Sequence, residues 1–384
     1  MKSASLDWAD TDQCLKCNIC TAECPVYRVD AAFPGPKALG PDWYRRMQAG
    51  RTETHPHVSD CTFCQLCEAA CPADVPVAHL IAWHKSRAGE PWTRRLRDLV
   101  LTHPHWVARW PRLMAVPRPL ARGLGISTRS VRPSAGPSTP PARRHVAAAP
   151  RRVGLLVDCY SRAFDRETVA AAEALLGLWG LAVIPVPGDS QCCGAAAYAG
   201  GQPETAKRVA GAMERSLGAL SPEAETLVTL NATCDATIRE EWPRYLGLRS
   251  GRNVVPFTEM ALEAAPPSFW ETCRRAPVEK VWVHTTCRSR VARGEGALQQ
   301  LAQEGGGAPR SLGLACCGAG GSYAFKAEHE AVAHDLGSVP TGIDPGAVLL
   351  TDSGTCALHL GQLQAVRARH PAWWLYRRYR QGSA

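Results

Sequence analysis

Eight of the seventeen cysteines fall in two runs with the spacing of a metal-binding loop, Cys14-x2-Cys17-x2-Cys20-x3-Cys24-Pro25 and Cys61-x2-Cys64-x2-Cys67-x3-Cys71-Pro72. Three thiolates at two-residue gaps let one tight loop wrap three corners of an iron–sulfur cubane, and in this pattern the fourth cysteine, set apart by the following proline, reaches the other cubane. The spacing therefore predicts two [4Fe–4S] clusters with crossed ligands: Cys14, Cys17, Cys20 and Cys71 on the first, Cys61, Cys64, Cys67 and Cys24 on the second. Zinc also accepts four thiolates, but it uses paired C-x2-C units and has no need of eight interleaved cysteines. Crossed ligation draws the two clusters together, which makes an electron wire out of two sites.

A second set of eight recurs as Cys, then Cys-Cys-Gly, then Cys. The first copy is Cys159, Cys192, Cys193 and Cys234; the second is Cys287, Cys316, Cys317 and Cys356. Each cysteine follows a predicted strand or sits at a strand-to-helix turn, so each four should converge at the carboxyl edge of a sheet, where open α/β sheets gather their ligands. Gly194, Gly318, Gly320 and Gly321 are expected to let backbone approach a bulky inorganic core. Four thiolates suffice for one cluster per copy, hence one or two further iron–sulfur centres; they also suffice for zinc, and a vicinal pair can form a disulfide. His284, three residues before Cys287, could ligate or tune a cluster, and Asp158, before Cys159, could also be a ligand; the preferred readings are a hydrogen-bonded histidine behind the ligands and a helix cap. Cys273 stands alone and reads as incidental. The glycines at 305–307 and 318–321 lack the helix and acidic spacing of a dinucleotide fingerprint.

The elements that must position these thiols divide the chain into four parts. Residues 1–90 form a two-cluster, ferredoxin-like α+β domain, largely helical and bound to its clusters, with a helix over Val77–His84 and a core too thin to fold without metal. Residues 91–152 are a connector rich in Arg, aromatic residues and Pro. Residues 153–265 and 266–384 form a duplicated α/β domain with mostly parallel sheets. Strands are predicted over 153–157, 181–186, 226–230, 280–284 and 347–351, with helices over 167–179 and 205–217 and near Leu298. The period of the duplication is about 125 residues.

The composition of the 384 residues, 45% hydrophobic and 21% charged, is that of globular protein. No apolar run is long enough to span a bilayer and the start lacks the apolar core of a signal peptide, so a cytoplasmic location is expected. Cysteines in tight clusters agree with a reducing compartment. The formal charge of +9 falls to about +5 with two cluster cores, too mild to argue for nucleic acid. Trp92, Trp106 and Trp110 among the arginines of 92–122, and Trp373-Trp374-Leu375-Tyr376-Arg377-Arg378-Tyr379-Arg380, have the chemistry of a peripheral membrane contact; the plainer reading, preferred for the tail, is a solvated basic helix or a partner surface.

Cys14-Leu15-Lys16-Cys17-Asn18-Ile19-Cys20-Thr21-Ala22-Glu23-Cys24-Pro25-Val26 and the segment Phe33-Pro34-Gly35-Pro36-Lys37-Ala38-Leu39-Gly40-Pro41-Asp42 resemble the C subunits of anaerobic glycerol-3-phosphate dehydrogenases. So do His284-Thr285-Thr286-Cys287, the segment Cys316 to Lys326 and Thr351 to Cys356. The resemblance implies an iron–sulfur subunit that takes electrons from a flavoprotein dehydrogenase and delivers them toward the quinone pool at the inner face of the cytoplasmic membrane. Glycolate oxidase iron–sulfur subunits share this architecture and are the near alternative. More distantly, the repeats are similar to the disulfide-cleaving subunit of heterodisulfide reductases, where each repeat ends in Cys-x2-Cys and five cysteines hold a noncubane double cluster. Here Asn231 stands three residues before Cys234 and Ser353 three before Cys356, which speaks against that centre and against direct thiol–disulfide chemistry.

Overall fold

A computed structural model describes residues 13–89, 97–98, 123, 125–127, 151–188, 192–339, 342–344 and 346–384. Short apolar runs in its second half pair as two sheets of the same order. In the first, β1 (Arg151–Leu156) lies between β2 (Leu181–Pro185) and β3 (Thr226–Thr229), and β4 (Asn253–Pro256) flanks β3. In the second, β5 (Glu279–His284) lies between β6 (Gly307–Ser311) and β7 (Val348–Thr351), and β8 (Arg367–Arg369) flanks β7. Every pairing is parallel, as the duplication requires. Parallel strands need long crossovers, here the helices Arg166–Leu178 and Pro203–Gly218 of the first repeat. The second helix starts two residues earlier than its apolar spacing suggests because Pro203 suits the first helical turn.

Alternation along the strands decides what each sheet face meets. Val153, Leu155 and Val228 enter a layer shared with Val281, Val283, Val348 and Leu350 of the other sheet. Leu156, Leu227 and Val254 face the opposite way, into a layer containing Val26, Phe33, Leu80 and Ile81. The first repeat is thus packed between the N-terminal region and the second repeat. The N-terminal region is helical over its described residues, with Pro41–Gln48 and Val77–Arg87 its longest segments. Val77–Arg87 is also the docking element. His79 stacks on Tyr245 with centroids 3.6 Å apart and its Nδ1 lies 3.1 Å from the Tyr198 hydroxyl. Lys85 Nζ donates to the carbonyls of Cys61 and Ala199, at 2.7 and 2.9 Å.

Most of the connector, including Trp92, Trp106 and Trp110, lies outside the described residues. Its described points dock on the second repeat: Arg97 donates to Glu328, Lys326 donates to Asp98, and Ile126 bridges Lys326 antiparallel.

The C-terminal helix Pro371–Ser383 differs from expectation. Trp374 and Arg378, four residues apart and so on one face, are fully buried with Leu375, and the helix packs against Arg166–Leu178 and Pro267–Arg275. Arg378 donates to five main-chain carbonyls, those of Cys273, Ala276, Pro277, Gly305 and Gly306. One face of the basic, aromatic tail is therefore an internal strut joining both repeats, where the sequence suggests a solvated helix. Its charge is held by the dipoles of these carbonyls, of which that of Cys273 also accepts from a main-chain donor, Ala276 N. Arg378→Lys has at most three donors for five acceptors and is expected to cost about 2–4 kcal/mol, read as a lower apparent melting temperature than the parent at the same scan rate. An unchanged transition would show that the strut carries no load.

Candidate metal centres

The two N-terminal cysteine runs fold alike. Lys16 and Phe63, each just before the second cysteine of its run, have φ of 59°, and Asn18 and Gln65, just after it, have φ of 64° and 65°. Non-glycine residues in this left-handed region each cost on the order of 1–2 kcal/mol, so the strain is kept only where the chain must curl round something. Cys14, Cys17, Cys20 and Cys71 line one cavity, with Lys37, Pro41, Val75 and Val77 in its wall. Cys24 belongs to the other group, where it interacts with Cys61, Cys64 and Cys67. Each set thus combines three cysteines of one run with the fourth of the other.

Burial pushes the Cys24 thiol up to about 12 and raises Cys61, Cys64 and Cys67 as well. Such thiols become thiolates only when a positively charged core displaces their protons. Main-chain N–H groups already point at the sulfurs, Phe63 N toward Cys61 Sγ at 3.4 Å among them. Four soft donors and strained wrapping loops fit an iron–sulfur core at both positions, and amide hydrogen bonds to sulfur support it at the second.

The second half also gathers its thiols. Cys159 and Cys287 open helices directly after β1 and β5, while Cys234 and Cys356 lie in helices directly after β3 and β7. Cys159 hydrogen-bonds Cys192 and Cys193 hydrogen-bonds Cys234; in the second repeat Cys287 meets Cys316, and Cys317 Sγ is 3.0 Å from Cys356 Sγ. The bond from Cys317 lowers Cys356 to about 6. Amides of Gly318 and Ala319 donate to Cys316 and Cys317 at 3.4 Å.

The glycines after the vicinal pairs have a different reason from the one expected. Gly194 and Gly318 have φ of 85° and 83°, and a Cβ on them would lie 2.8 Å from Ala206 O and 2.4 Å from Ala333 O. They let each Cys-Cys turn press onto the backbone of a following helix rather than onto an inorganic core.

Asn231 and Ser353 hold equivalent places, with φ, ψ of −139°, 116° and −139°, 124°. Asn231 caps its helix by accepting from Thr233 N and donates to Asp158. Asp158 itself accepts from Tyr160 N, Ser161 N and Ser161 Oγ, which is the capping role expected of it. Ser353 Oγ lies 3.3 Å from Thr355 Oγ1. Cys273 is buried in the apolar core away from both sets. His284 is buried and its ring meets the Cys356 thiol, helping to lower it, in keeping with a histidine behind the ligands; its Nε2 has no other partner among the described residues, and one ring nitrogen lies within 4.8 Å of both Cys317 and Cys356 Sγ.

A narrow cavity joins the halves. Thr62 and Phe63, from the loop between Cys61 and Cys64, face Arg288, Cys316 and Cys317 across it, and Thr62 Oγ1 is 4.0 Å from Cys316 Sγ. Beside it Glu241, on the π-helix Thr237–Leu246, forms a buried ion pair with Arg288 and accepts from Gln65 Nε2 and Thr237 Oγ1, each at 3.0 Å. One carboxylate therefore ties together the N-terminal loop and both repeats. Nothing in the local pattern around Glu241 marks it; Arg288, next to Cys287, offers the only signal in the sequence.

Residues 10–75 match the 4Fe-4S dicluster domain and residues 153–239 the cysteine-rich domain of Cys-Cys-Gly type. The chain carries a 4Fe-4S dicluster domain followed by a cysteine-rich region. Along 94% of its length it is similar to the C subunit of the anaerobic glycerol-3-phosphate dehydrogenase of Escherichia coli (strain K12), at 26% identity and covering 96% of that protein. It is also similar, at 25% identity, to the glycolate oxidase iron-sulfur subunit of Escherichia coli (strain K12), over 93% of this chain and 91% of that one. No helix among the described residues is long and apolar enough to cross a membrane.

The junction makes a direct prediction. Glu241→Gln leaves Arg288 buried without its countercharge, a loss of about 3–5 kcal/mol, and should loosen the N-terminal loop from the repeats. Limited proteolysis under anaerobic conditions is expected to cut the variant faster than the parent, with a lower apparent melting temperature; equal resistance would contradict the assignment.

Proposed function

We propose that this chain is an iron–sulfur electron-transfer subunit serving a flavin-containing dehydrogenase of the anaerobic glycerol-3-phosphate type, with quinone as the eventual acceptor. The observation that carries this reading is the contact between Thr62 and Cys316, which sets the second Cys-Cys-Gly repeat directly against the Cys24, Cys61, Cys64 and Cys67 set. In this reading Cys14, Cys17, Cys20 and Cys71 hold one [4Fe–4S] cluster and Cys24, Cys61, Cys64 and Cys67 the other, with Cys159, Cys192, Cys193, Cys234 and Cys287, Cys316, Cys317, Cys356 holding further centres. When bound, such clusters supply one-electron carriers.

The protein's own residues supply closeness and dryness. Phe63, His79 and Tyr198 pack edge to face beside the second set, at centroid separations of 5.2 and 5.6 Å from Phe63, and keep water from it. Main-chain N–H groups aimed at the sulfurs stabilise the more negative, reduced state in the same way as they stabilise thiolate. Tunnelling falls steeply with separation, so two crossed sets and a third abutting them make a continuous route. The engaged Asn231 supports electron relay over disulfide cleavage, since a residue committed to a cap and to Asp158 is no ligand. Similarity to the glycolate oxidase subunit favours a second flavoprotein class as partner.

Anaerobic co-purification with a flavoprotein, followed by addition of glycerol 3-phosphate or glycolate, is the test. Bleaching of the iron–sulfur absorbance by glycerol 3-phosphate is expected; bleaching by glycolate alone would reassign the partner, and none with either would contradict the role. The crossed arrangement has its own check. Cys71→Ser should remove the cluster of Cys14, Cys17 and Cys20, and Cys24→Ser the other, each taking iron of the N-terminal pair from about eight to about four per chain. If each variant lost the cluster of its own run instead, the ligation would be uncrossed.

A further inference from the structure

We propose that His284 is a nitrogen ligand of the metal centre in the second Cys-Cys-Gly repeat, bound beside Cys317 and Cys356. The proposal rests on the reading that this repeat holds a thiolate-bound iron or zinc centre, and it adds a donor that the cysteine pattern does not contain.

Three separate observations converge on the ring. His284 ends β5, one of the two inner strands, so its side chain sits at the carboxyl edge where the thiols gather. A ring nitrogen and the Sγ atoms of Cys317 and Cys356 all lie within 4.8 Å of one another. Ligands of one metal ion stand at about 2.3 Å for sulfur and about 2.0–2.1 Å for nitrogen, so no two of them can be more than about 4.6 Å apart. The three donors already meet that limit to within a few tenths of an ångström. Finally, this ring, which is 2% exposed, interacts with the Cys356 thiol, and its Nε2 has no other hydrogen-bond partner among the described residues. A buried imidazole nitrogen without a strong partner is costly, and a metal ion removes the cost.

The two repeats are not equivalent here. Three residues before Cys159, where His284 would have its counterpart, stands Leu156, fully buried in the apolar layer. Three residues before the last cysteine the repeats carry Asn231 and Ser353, the first engaged as a cap and the second a hydroxyl beside Thr355. Only the second repeat therefore brings an imidazole to its thiols among the described residues, and it is the repeat that touches the N-terminal cluster loop. For an iron centre with Cys317 and Cys356 kept beside the ring, imidazole takes the position of one of the other two thiolates, Cys287 or Cys316, so the centre carries one negative charge less and its reduction potential rises, as with histidine ligation in Rieske centres. His284 then makes the second repeat the lower-energy destination for an electron arriving from the Cys24, Cys61, Cys64 and Cys67 set.

The experiment uses the full chain, purified anaerobically after growth with 15N-histidine and again with natural-abundance histidine, together with His284→Cys. Metal analysis comes first. For iron beyond the eight atoms of the N-terminal pair, pulsed EPR on the reduced centre should show one nitrogen whose hyperfine frequency changes with the isotope and is absent from His284→Cys. For zinc, X-ray absorption should show one light scatterer at about 2.0 Å beside sulfur at about 2.3 Å, replaced by sulfur in the variant. A wild-type centre ligated by sulfur alone, or a nitrogen that survives His284→Cys, overturns the proposal and leaves the centre itself standing. A chain with no metal beyond the N-terminal iron overturns both. The wild-type spectra decide the matter even if the variant fails to fold.

Discussion

Thr62, Phe63 and Gln65 belong to the loop that curls round Cys61, Cys64 and Cys67, and all three press on residues of the second half, Cys316, Arg288 and Glu241. The rest of the molecule is arranged to hold that contact. The N-terminal region lends part of its core to the first sheet, the C-terminal helix straps the two repeats together, and the described points of the connector dock on the second repeat. None of these parts buries its apolar face alone, so the metal sites and the packing between domains are features of one structure. A small cluster-binding domain that cannot supply its own core gains it from a neighbour as well as from its metal.

Duplication gives the two repeats the same sheet order, the same left-handed glycine after each vicinal pair and the same backbone at Asn231 and Ser353. Their chemistry has diverged within that frame. The first repeat spends Asp158 and Asn231 on caps and offers thiols alone, whereas the second adds a buried imidazole and faces the cluster loop. Near-symmetric folds with unequal sites suit a relay, because equal sites would give an electron no preferred resting place.

Much of this is legible from spacing. The two N-terminal runs, the parallel α/β repeats and the convergence of thiols at strand ends all follow from local pattern, which is the scale on which cysteine spacing and strand alternation act. What escapes is set by tertiary contacts. Arg378 has the local context of a solvated or membrane-facing charge because its five carbonyl partners come from segments about seventy to a hundred residues away. Glu241 resembles any helical glutamate until Gln65 and Arg288 arrive from either side. Gly194 and Gly318 suggest room for a cluster, yet they make room for helix backbone. Sequence spacing leaves His284 either a ligand or a histidine behind the ligands, and only placement of its neighbours shows the ring against the Cys317 and Cys356 thiols.

The most direct measurement of the central claim, that crossed ligands bring the two N-terminal clusters together as one wire, is low-temperature EPR of the anaerobically reduced full chain. Two clusters sharing interleaved loops are predicted to give a broadened, split spectrum from magnetic coupling between them, with about eight iron atoms per chain in the N-terminal pair. Two sharp, additive signals without coupling, or a single cluster, would contradict it.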